Sequence, residues 1–403
     1  MQANHMDSIQ TMQPTKIDYL QCITCKKQFA ETEVEYTCPN CGAVQGTLDV
    51  IYNWKYIKKM ISREGLAGNN EPSHWRYLPL LPVNSERFIQ PLRVGWTPLY
   101  RHPRLNKALQ LPQLYLKDDS GNITASYKDR ASSVAIVKAL EKKYAGIGAA
   151  SSGNAGASIA AFAASAGLPC TIFVPENIPK PKLAQLKAYG AQVMLVKGGY
   201  DAAFDLCMQE CEKNHWYNRN TAINPYLAEG KKTAALEICE QLRWDAPDLV
   251  FVSVGDGCII SSLWKGFKDL KAMGWIEKYP QLIGVQAEGS APLVRAFREG
   301  LDQVRQENVQ TIADSICVGF PRDQAKALRA VHESGGKLLA VSDQAIVEAI
   351  KLLSGHAGIF VEPAAAAALA GVRRMQQSGK IIPESKIVAV LTGSGLKDIR
   401  PIL

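Results

Sequence analysis

The sequence has no apolar run approaching the ~20 residues needed to cross a bilayer, and Met1 to Lys16 are too polar for the core of a secretion signal. It has no internal repeat, coiled coil or low-complexity tract. It also lacks a long basic block: the net charge of +8 is spread along the chain, which favours solubility and attraction of small anions but not nucleic acid. These absences lead us to expect a cytoplasmic protein with neither a membrane nor a nucleic-acid partner. What is present is a chain of 403 residues, 47% hydrophobic, long enough to bury a large core divided over two or more domains.

Ten cysteines in a large chain without an export signal do not suggest a disulfide framework. Four form a pattern: Cys22-x-x-Cys25 and Cys38-x-x-Cys41 are two knuckles separated by 12 residues, and thiolates so arranged can complete a tetrahedral zinc site. Gly42 follows the second knuckle, where a residue tolerant of unusual backbone angles helps amides turn toward sulfur. A structural zinc ribbon is the expectation, with redox-active thiols or an unmetallated ribbon as alternatives. A nucleic-acid role for the ribbon fails on charge. Lys26 and Lys27 are outweighed by Glu31, Glu33, Glu35 and Asp49, the opposite of what phosphate neutralisation requires. Cys170, Cys207, Cys211, Cys239, Cys258 and Cys317 read as core filler.

Residues 1–19 read as a flexible tail and 20–50 as the ribbon. Proline-rich stretches at Leu78–Pro82 and Pro91–Pro98 suggest an extended entry into the main body. From Leu114 onward, β-branched runs at Cys170–Val174, Gln192–Val196, Leu249–Val254, Leu282–Gln286 and Ile387–Leu391 alternate with helical stretches. That rhythm predicts an α/β fold of open parallel sheets covered by helices on both faces.

Three segments carry chemistry. Ser126-Tyr127-Lys128-Asp129-Arg130 sets a lysine just ahead of an alanine-rich helix; alone, such a run is usually a solvated helix start. Ser151-Ser152-Gly153-Asn154-Ala155-Gly156-Ala157-Ser158 follows a short apolar stretch and opens a helix from Ile159 to Ala166, and exposed amides there can hold a carboxylate. Val254-Gly255-Asp256-Gly257-Cys258-Ile259-Ile260 follows an apolar strand and leads into another helix, the arrangement of a phosphate cradle. Each glycine segment alone could be an ordinary tight turn; their order and spacing argue otherwise. A dinucleotide-binding reading lacks its third glycine, because Ile260 stands there.

In these segments the chain resembles the fold type II pyridoxal-phosphate enzymes, and within them the threonine synthases. Further matches are Asn224-Pro225 with Glu229-Gly230-Lys231-Lys232-Thr233, Gln286-Ala287-Glu288-Gly289-Ser290-Ala291-Pro292-Leu293, Gly358-Ile359-Phe360-Val361-Glu362-Pro363-Ala364, and Thr392-Gly393-Ser394-Gly395-Leu396-Lys397-Asp398. The resemblance spans the chain from the first cysteines to the end and implies a homodimer with two parallel-sheet domains. Residues 51–119 and 216–403 would form the large cofactor-binding domain and residues 120–215 a small domain. Many threonine synthases carry a similar Cys-x-x-Cys pair at the N-terminus.

The resemblance further implies that Lys128 holds the aldehyde of pyridoxal 5'-phosphate and afterwards moves protons at the substrate α-carbon. Asn154 would donate to the phenolic oxygen of the cofactor ring, and Ser151, Ser152, Gly153 and Ala155 would receive the carboxylate of an amino-acid substrate. Amides of Gly255, Asp256, Gly257, Cys258 and Ile259 would hold the cofactor phosphate, although a carboxylate at Asp256 beside a phosphate costs energy unless it points away. Thr392 would face the pyridine nitrogen, giving a milder electron sink than a carboxylate partner.

Several positions depart from the family pattern. The arginine that grips the substrate phosphate after Asn-Pro is replaced in Asn224-Pro225-Tyr226-Leu227 by Leu227. Thr221-Ala222 stands where Asn-Ser is frequent, Ala155 replaces a threonine, and Ile123-Thr124-Ala125 replaces Pro-Thr-Gly. These losses suggest a different leaving group. The expected function is a threonine synthase-like lyase acting at the β or γ carbon of an amino acid. The alternative is a serine or threonine dehydratase, or a β-replacement synthase on an activated serine.

Overall fold

The computed structural model describes residues 15–400, so most of the expected tail lies outside the described residues. The ordered chain begins before residue 19, because β1 (Ile17–Cys22) buries Ile17, Leu20 and Cys22. It pairs antiparallel with β2 (Gln28–Phe29) and β3 (Leu48–Tyr52), giving a three-stranded ribbon sheet. Leu78–Leu80, expected as extended, belongs instead to a 3-10 helix at His74–Leu80. The helix is capped by the Ser73 side chain, and its aromatic residues Trp75 and Tyr77 are buried. Pro91–Pro98 has no regular structure.

The next strands are β4 (Leu99–Tyr100) and β5 (Leu114–Asp118). Four more, β6 (Gly146–Ala150), β7 (Cys170–Pro175), β8 (Gln192–Val196) and β9 (Trp216–Asn218), form a parallel sheet ordered β8-β7-β6-β9. β9 lies just past residue 215, the expected end of the small domain, because Trp216–Asn218 pair with Gly146–Gly148 of β6.

β10 (Leu249–Ser253), β11 (Gln281–Ala287), β12 (Lys337–Val341) and β13 (Ile387–Leu391) complete a six-stranded sheet ordered β12-β11-β10-β13-β5-β4. Its neighbours are parallel except at the β4 edge, which runs antiparallel to β5.

The central strands are apolar throughout because both faces are covered. Along β10, Val250 and Val252 enter one core while Leu249 and Phe251 enter the other, and β13 alternates in the same way. Ala364–Ala370 of the Pro363–Gln377 helix pack in the second core, where small side chains admit close approach to the sheet. The first core also takes in Leu20, Val50 and Tyr52, so the ribbon is welded to the body rather than tethered. Among the described residues no helix is long and apolar enough to cross a membrane.

The Asp129–Glu141 helix packs against the Tyr226–Gln241 helix. Gly230 permits the contact: a Cβ there would lie 1.9 Å from the Arg130 carbonyl oxygen. Gly230→Ala is expected to destabilise the fold by about 1–3 kcal/mol through overpacking, measured as a lowered urea midpoint with an unchanged slope. An unchanged midpoint would show that the two helices can separate freely.

Candidate active site

Lys128 sits immediately before the Asp129–Glu141 helix, and its neighbours are fixed on both sides. Asp129 accepts from the Thr124 amide at 2.7 Å and from the Thr124 hydroxyl at 2.5 Å. The guanidinium of Arg130 is fully buried, donating to both carboxylate oxygens of Asp119 at 2.6 and 2.8 Å and to both of Glu237 at 2.5 and 2.8 Å. Lys117 pairs with the same Glu237 at 2.6 Å. The Tyr127 amide donates to the Thr392 carbonyl at 2.9 Å, and Ser126 bridges to Gly393. The two segments most distant in the sequence motif set are thereby stitched together behind the lysine.

The Ser151–Gly153 loop leaves the carboxyl end of β6 and opens the Asn154–Ala166 helix. That helix starts five residues before the expected Ile159, because Asn154–Ser158 already form its first turn. No side chain caps this start, and the amides of Asn154, Ala155 and Gly156 donate to no acceptor among the described residues. The Val254–Gly257 turn leaves β10 in the same way and opens the Cys258–Met273 helix. Gly257 caps it at φ +97°, where a Cβ would lie 2.6 Å from the Ala327 Cβ. Here too no side chain caps, and the amides from Gly255 to Ile260 donate to nothing among the described residues.

Two uncapped helix starts at the carboxyl ends of parallel strands are anion sites by backbone dipole and donor count. They occupy the crevice where open α/β sheets bind ligands.

All twelve residues expected at the cofactor and substrate carboxylate line one cavity of about 810 Å³: Lys128, Ser151, Ser152, Gly153, Asn154, Ala155, Gly255, Asp256, Gly257, Cys258, Ile259 and Thr392. Asn154 donates from its amide to both oxygens of Glu362, at 2.9 and 3.1 Å. Glu362 is buried, and burial raises its carboxyl above the ordinary range. Asp256 accepts from the Arg322 amide at 3.2 Å, and burial likewise raises its carboxyl, which lessens its conflict with an anion.

Cys258 and Cys317 line the cavity instead of filling core, since each falls at a turn facing it, whereas Cys207, Cys211 and Cys239 are buried. Leu227 is buried in the small sheet's core and does not reach the cavity.

Sequence reasoning missed Arg219, Lys231, Arg322 and Glu362, all of which line the cavity. Their signal was weak: Arg219 follows a short strand, and Lys231 lies beside a second lysine. Lys232 is paired with Glu229 and Asp269, whereas Lys231 has no ion pair among the described residues. Burial, then the charges of Lys231 and Arg219, hold the Lys128 amine below its ordinary value.

At a different place, the thiols of Cys22, Cys25, Cys38 and Cys41 all lie within 4.8 Å of one another. The two knuckles are built alike: Lys26 at φ 64° donates to the Cys22 carbonyl, and Gly42 at φ 71° donates to that of Cys38.

With this geometry in hand, comparison with known proteins is informative. The family described as "Pyridoxal-phosphate dependent enzyme" matches residues 91–393. The threonine synthase of Methanocaldococcus jannaschii is 44% identical over 380 residues, covering 94% of this chain and 92% of that protein. The threonine synthase of Methanosarcina acetivorans is 38% identical over 387 residues, covering 96% and 93%. Among solved structures, the processed form of threonine deaminase isoform 2 from Solanum lycopersicum aligns with a TM-score of 0.66 at 25% identity, over 76% of this chain and 85% of that one. A pyridoxal 5'-phosphate-dependent aspartate racemase gives 0.66 and 25% over 76% and 92%.

A lysine facing two uncapped helix starts across an α/β crevice is the arrangement of a fold type II pyridoxal-phosphate enzyme, and the chain belongs to that family. Within it, the chain is a threonine synthase-like lyase.

The position of Lys128 yields a pH prediction. A lysine amine is reactive only when neutral, and a depressed pKa brings that form in at lower pH. In cofactor-free protein, acylation of Lys128, followed by peptide mass spectrometry, should reach half its maximal rate below the ordinary lysine value of 10.5. Lys231→Met should move that midpoint upward, because a neighbouring positive charge is removed. A midpoint at the ordinary value, indifferent to residue 231, would contradict the electrostatic argument.

Proposed function

We propose that Lys128 anchors pyridoxal 5'-phosphate and that the enzyme eliminates a leaving group from the β or γ carbon of an amino acid, then replaces it, in the manner of a threonine synthase. The observation that carries this reading is the convergence of Lys128, both uncapped helix starts and Thr392 on one cavity. The cofactor, when bound, supplies an electron sink for negative charge at the substrate α-carbon.

The protein groups supply the rest. Gly255, Asp256, Gly257, Cys258 and Ile259 would hold the cofactor phosphate on unspent amides and helix dipole. Gly257 is required because its conformation and the 2.6 Å approach to Ala327 leave no space for a side chain. The Ser151, Ser152, Gly153 and Ala155 loop would receive the α-carboxylate, fixing which α bond stands perpendicular to the ring. Asn154 would orient the ring's phenolic oxygen, itself held by Glu362. Thr392 offers the ring nitrogen a hydroxyl and imposes no charge on it.

Lys128, with its depressed pKa, is suited to take a proton from the α-carbon and return one farther along the side chain. Arg322 reaches across the cavity mouth, paired with Asp201 at 2.5 Å and packed 3.8 Å from the Phe204 ring centre, which screens the site from water.

The four thiols at the ribbon fit a tetrahedral metal site in number, spacing and convergence, so we assign them a structural zinc ion. The assembly we expect is a homodimer.

Purified protein with pyridoxal phosphate should absorb in the visible, bleach with borohydride and carry the reduced adduct on Lys128. Lys128→Ala should bind no adduct and lose activity by at least ~10³-fold. An adduct on another lysine would sink the assignment. Phosphate release from O-phosphohomoserine with threonine formation would establish the threonine synthase reaction, whereas oxo-acid formation from threonine would redirect it to a dehydratase.

For the ribbon, metal analysis should find one zinc per chain. A chelator should lower the thermal midpoint by several degrees, because metal binding is coupled to folding. Stoichiometric absence of metal from freshly purified protein would remove zinc from the description.

A further inference from the structure

The Gln324–Glu333 helix touches both the ribbon and the glycine turn. Toward the ribbon it presents Lys326 and Arg329, one helical turn apart on one face. Arg329 donates from Nη2 to the Ile23 carbonyl at 2.6 Å, inside the first cysteine knuckle. Lys326 donates to the Leu48 carbonyl at 2.6 Å and pairs with Asp49 at 2.7 Å. Leu48 lies directly across the ladder from Cys22, and the Ile23 amide donates to the Thr47 carbonyl. Both cations therefore grip the backbone that carries the thiols.

Toward the cavity, the same helix supports the turn. The Asp323 amide donates to the Asp256 carbonyl at 3.0 Å, and the Arg322 amide donates to the Asp256 side chain at 3.2 Å. Asp323 also accepts at 2.6 Å from the hydroxyl of Ser261, which lies on the first turn of the Cys258–Met273 helix. Gly257 lies so close that a Cβ on it would stand 2.6 Å from the Ala327 Cβ. A helix seated on the turn without slack passes any shift of its own to the turn's amides.

The hold of those amides on an anion depends on their convergence, because hydrogen bonds weaken steeply with misalignment. What lies behind them is Asp323 and Ala327, whose helix is fixed at the ribbon by Arg329 and Lys326. Cys22 and Cys25 flank Ile23, so a metal shared by the four thiols fixes that carbonyl, and loss of the metal frees it.

We infer that Lys326 and Arg329 are positioning residues for the cofactor phosphate: through the Gln324–Glu333 helix they couple metal in the ribbon to cofactor in the cavity. Neither side chain lines the active-site cavity, so the effect runs through the turn and not by contact. The inference rests on the assignments of zinc to the four thiols and of the glycine turn to the cofactor, which metal analysis and borohydride trapping report separately. Such coupling is reciprocal: whatever factor the metal adds to cofactor affinity, the cofactor adds to metal affinity.

The test titrates cofactor-free protein with pyridoxal phosphate, following visible absorbance, with zinc present and after its removal by a chelator and dialysis. Metal removal should raise the cofactor dissociation constant by ~10-fold. Competition with a chromophoric chelator should show zinc held ~10-fold more tightly in holoenzyme than in cofactor-free protein. Lys326→Met combined with Arg329→Met should weaken cofactor binding by a similar factor with zinc retained, and metal removal should then cost nothing further. Equal cofactor affinity with and without zinc overturns the inference. So does a double variant in which metal removal still weakens the cofactor, since the coupling would then bypass the helix.

Should metal-free protein unfold, zinc-loaded holoenzyme decides the matter by phosphorus NMR. Arg329→Met should move the resonance of the bound cofactor phosphate, while Arg329→Lys, which keeps a donor for the Ile23 carbonyl, should leave it at the wild-type position. A wild-type resonance in Arg329→Met, or an equal displacement in both variants, overturns the inference.

Discussion

The buried guanidinium of Arg130 is the interaction on which the active-site geometry depends. It makes paired hydrogen bonds to Asp119 and Glu237 at complete burial, with Lys117 as a second cation on Glu237. Two cations and two carboxylates thus balance where a single unmatched charge would be prohibitive. Thr97 and Thr233 add neutral hydrogen bonds. The network joins the end of β5, the start of the Asp129–Glu141 helix and the middle of the Tyr226–Gln241 helix, so their relative positions cannot drift without breaking charge pairs. Lys128 is two residues away, and its backbone has no freedom to reposition. A mobile side chain on an immobile backbone is what a residue needs if it must both anchor a group and carry protons.

Against that balanced network, the imbalance of the cavity stands out. Lys231 and Lys232 are adjacent in sequence and point to different surroundings, one to the cavity and one into carboxylates beside Tyr52. The contrast shows that the fold neutralises buried charge wherever it is structural. Positive charge left over beside Lys128 serves two ends. It makes the cavity's potential more positive, and it favours the neutral form of the Lys128 amine.

Sequence reading was strongest where function is carried by local backbone. A lysine ahead of a helix and a glycine turn after an apolar strand announce themselves because strand, turn and helix start are short-range features. The same holds for the parallel sheets, whose apolar runs at Gln192–Val196 and Ile387–Leu391 are strands with those bounds. Residues whose role comes from tertiary packing gave no such sign. Arg219 is a cation at the end of a three-residue strand, and only the fold turns it to the cavity. Glu362 lay within a quoted motif, yet its contact with Asn154 spans 208 positions. Leu227 stands in the sequence as a loss at an anion site, and the fold uses it as part of a hydrophobic core.

The ribbon completes the mechanical frame. It grips the small sheet through Tyr36, whose hydroxyl accepts from the Asn218 amide at 3.0 Å and whose ring packs edge-on to Tyr217. It grips the large body through Lys326, which donates to the Leu48 carbonyl and pairs with Asp49 at 2.7 Å. The residue after Asn218 is Arg219, and Lys326 lies on the helix that follows Asp323, close behind the glycine turn. At the cavity mouth, Arg322 is paired with Asp201 and Lys182 with Asp314. Those mouth contacts involve exposed carboxylates and are individually weak, whereas the ribbon contacts are backed by a shared core. The side that must admit a substrate is therefore the side whose ion pairs are the more exposed.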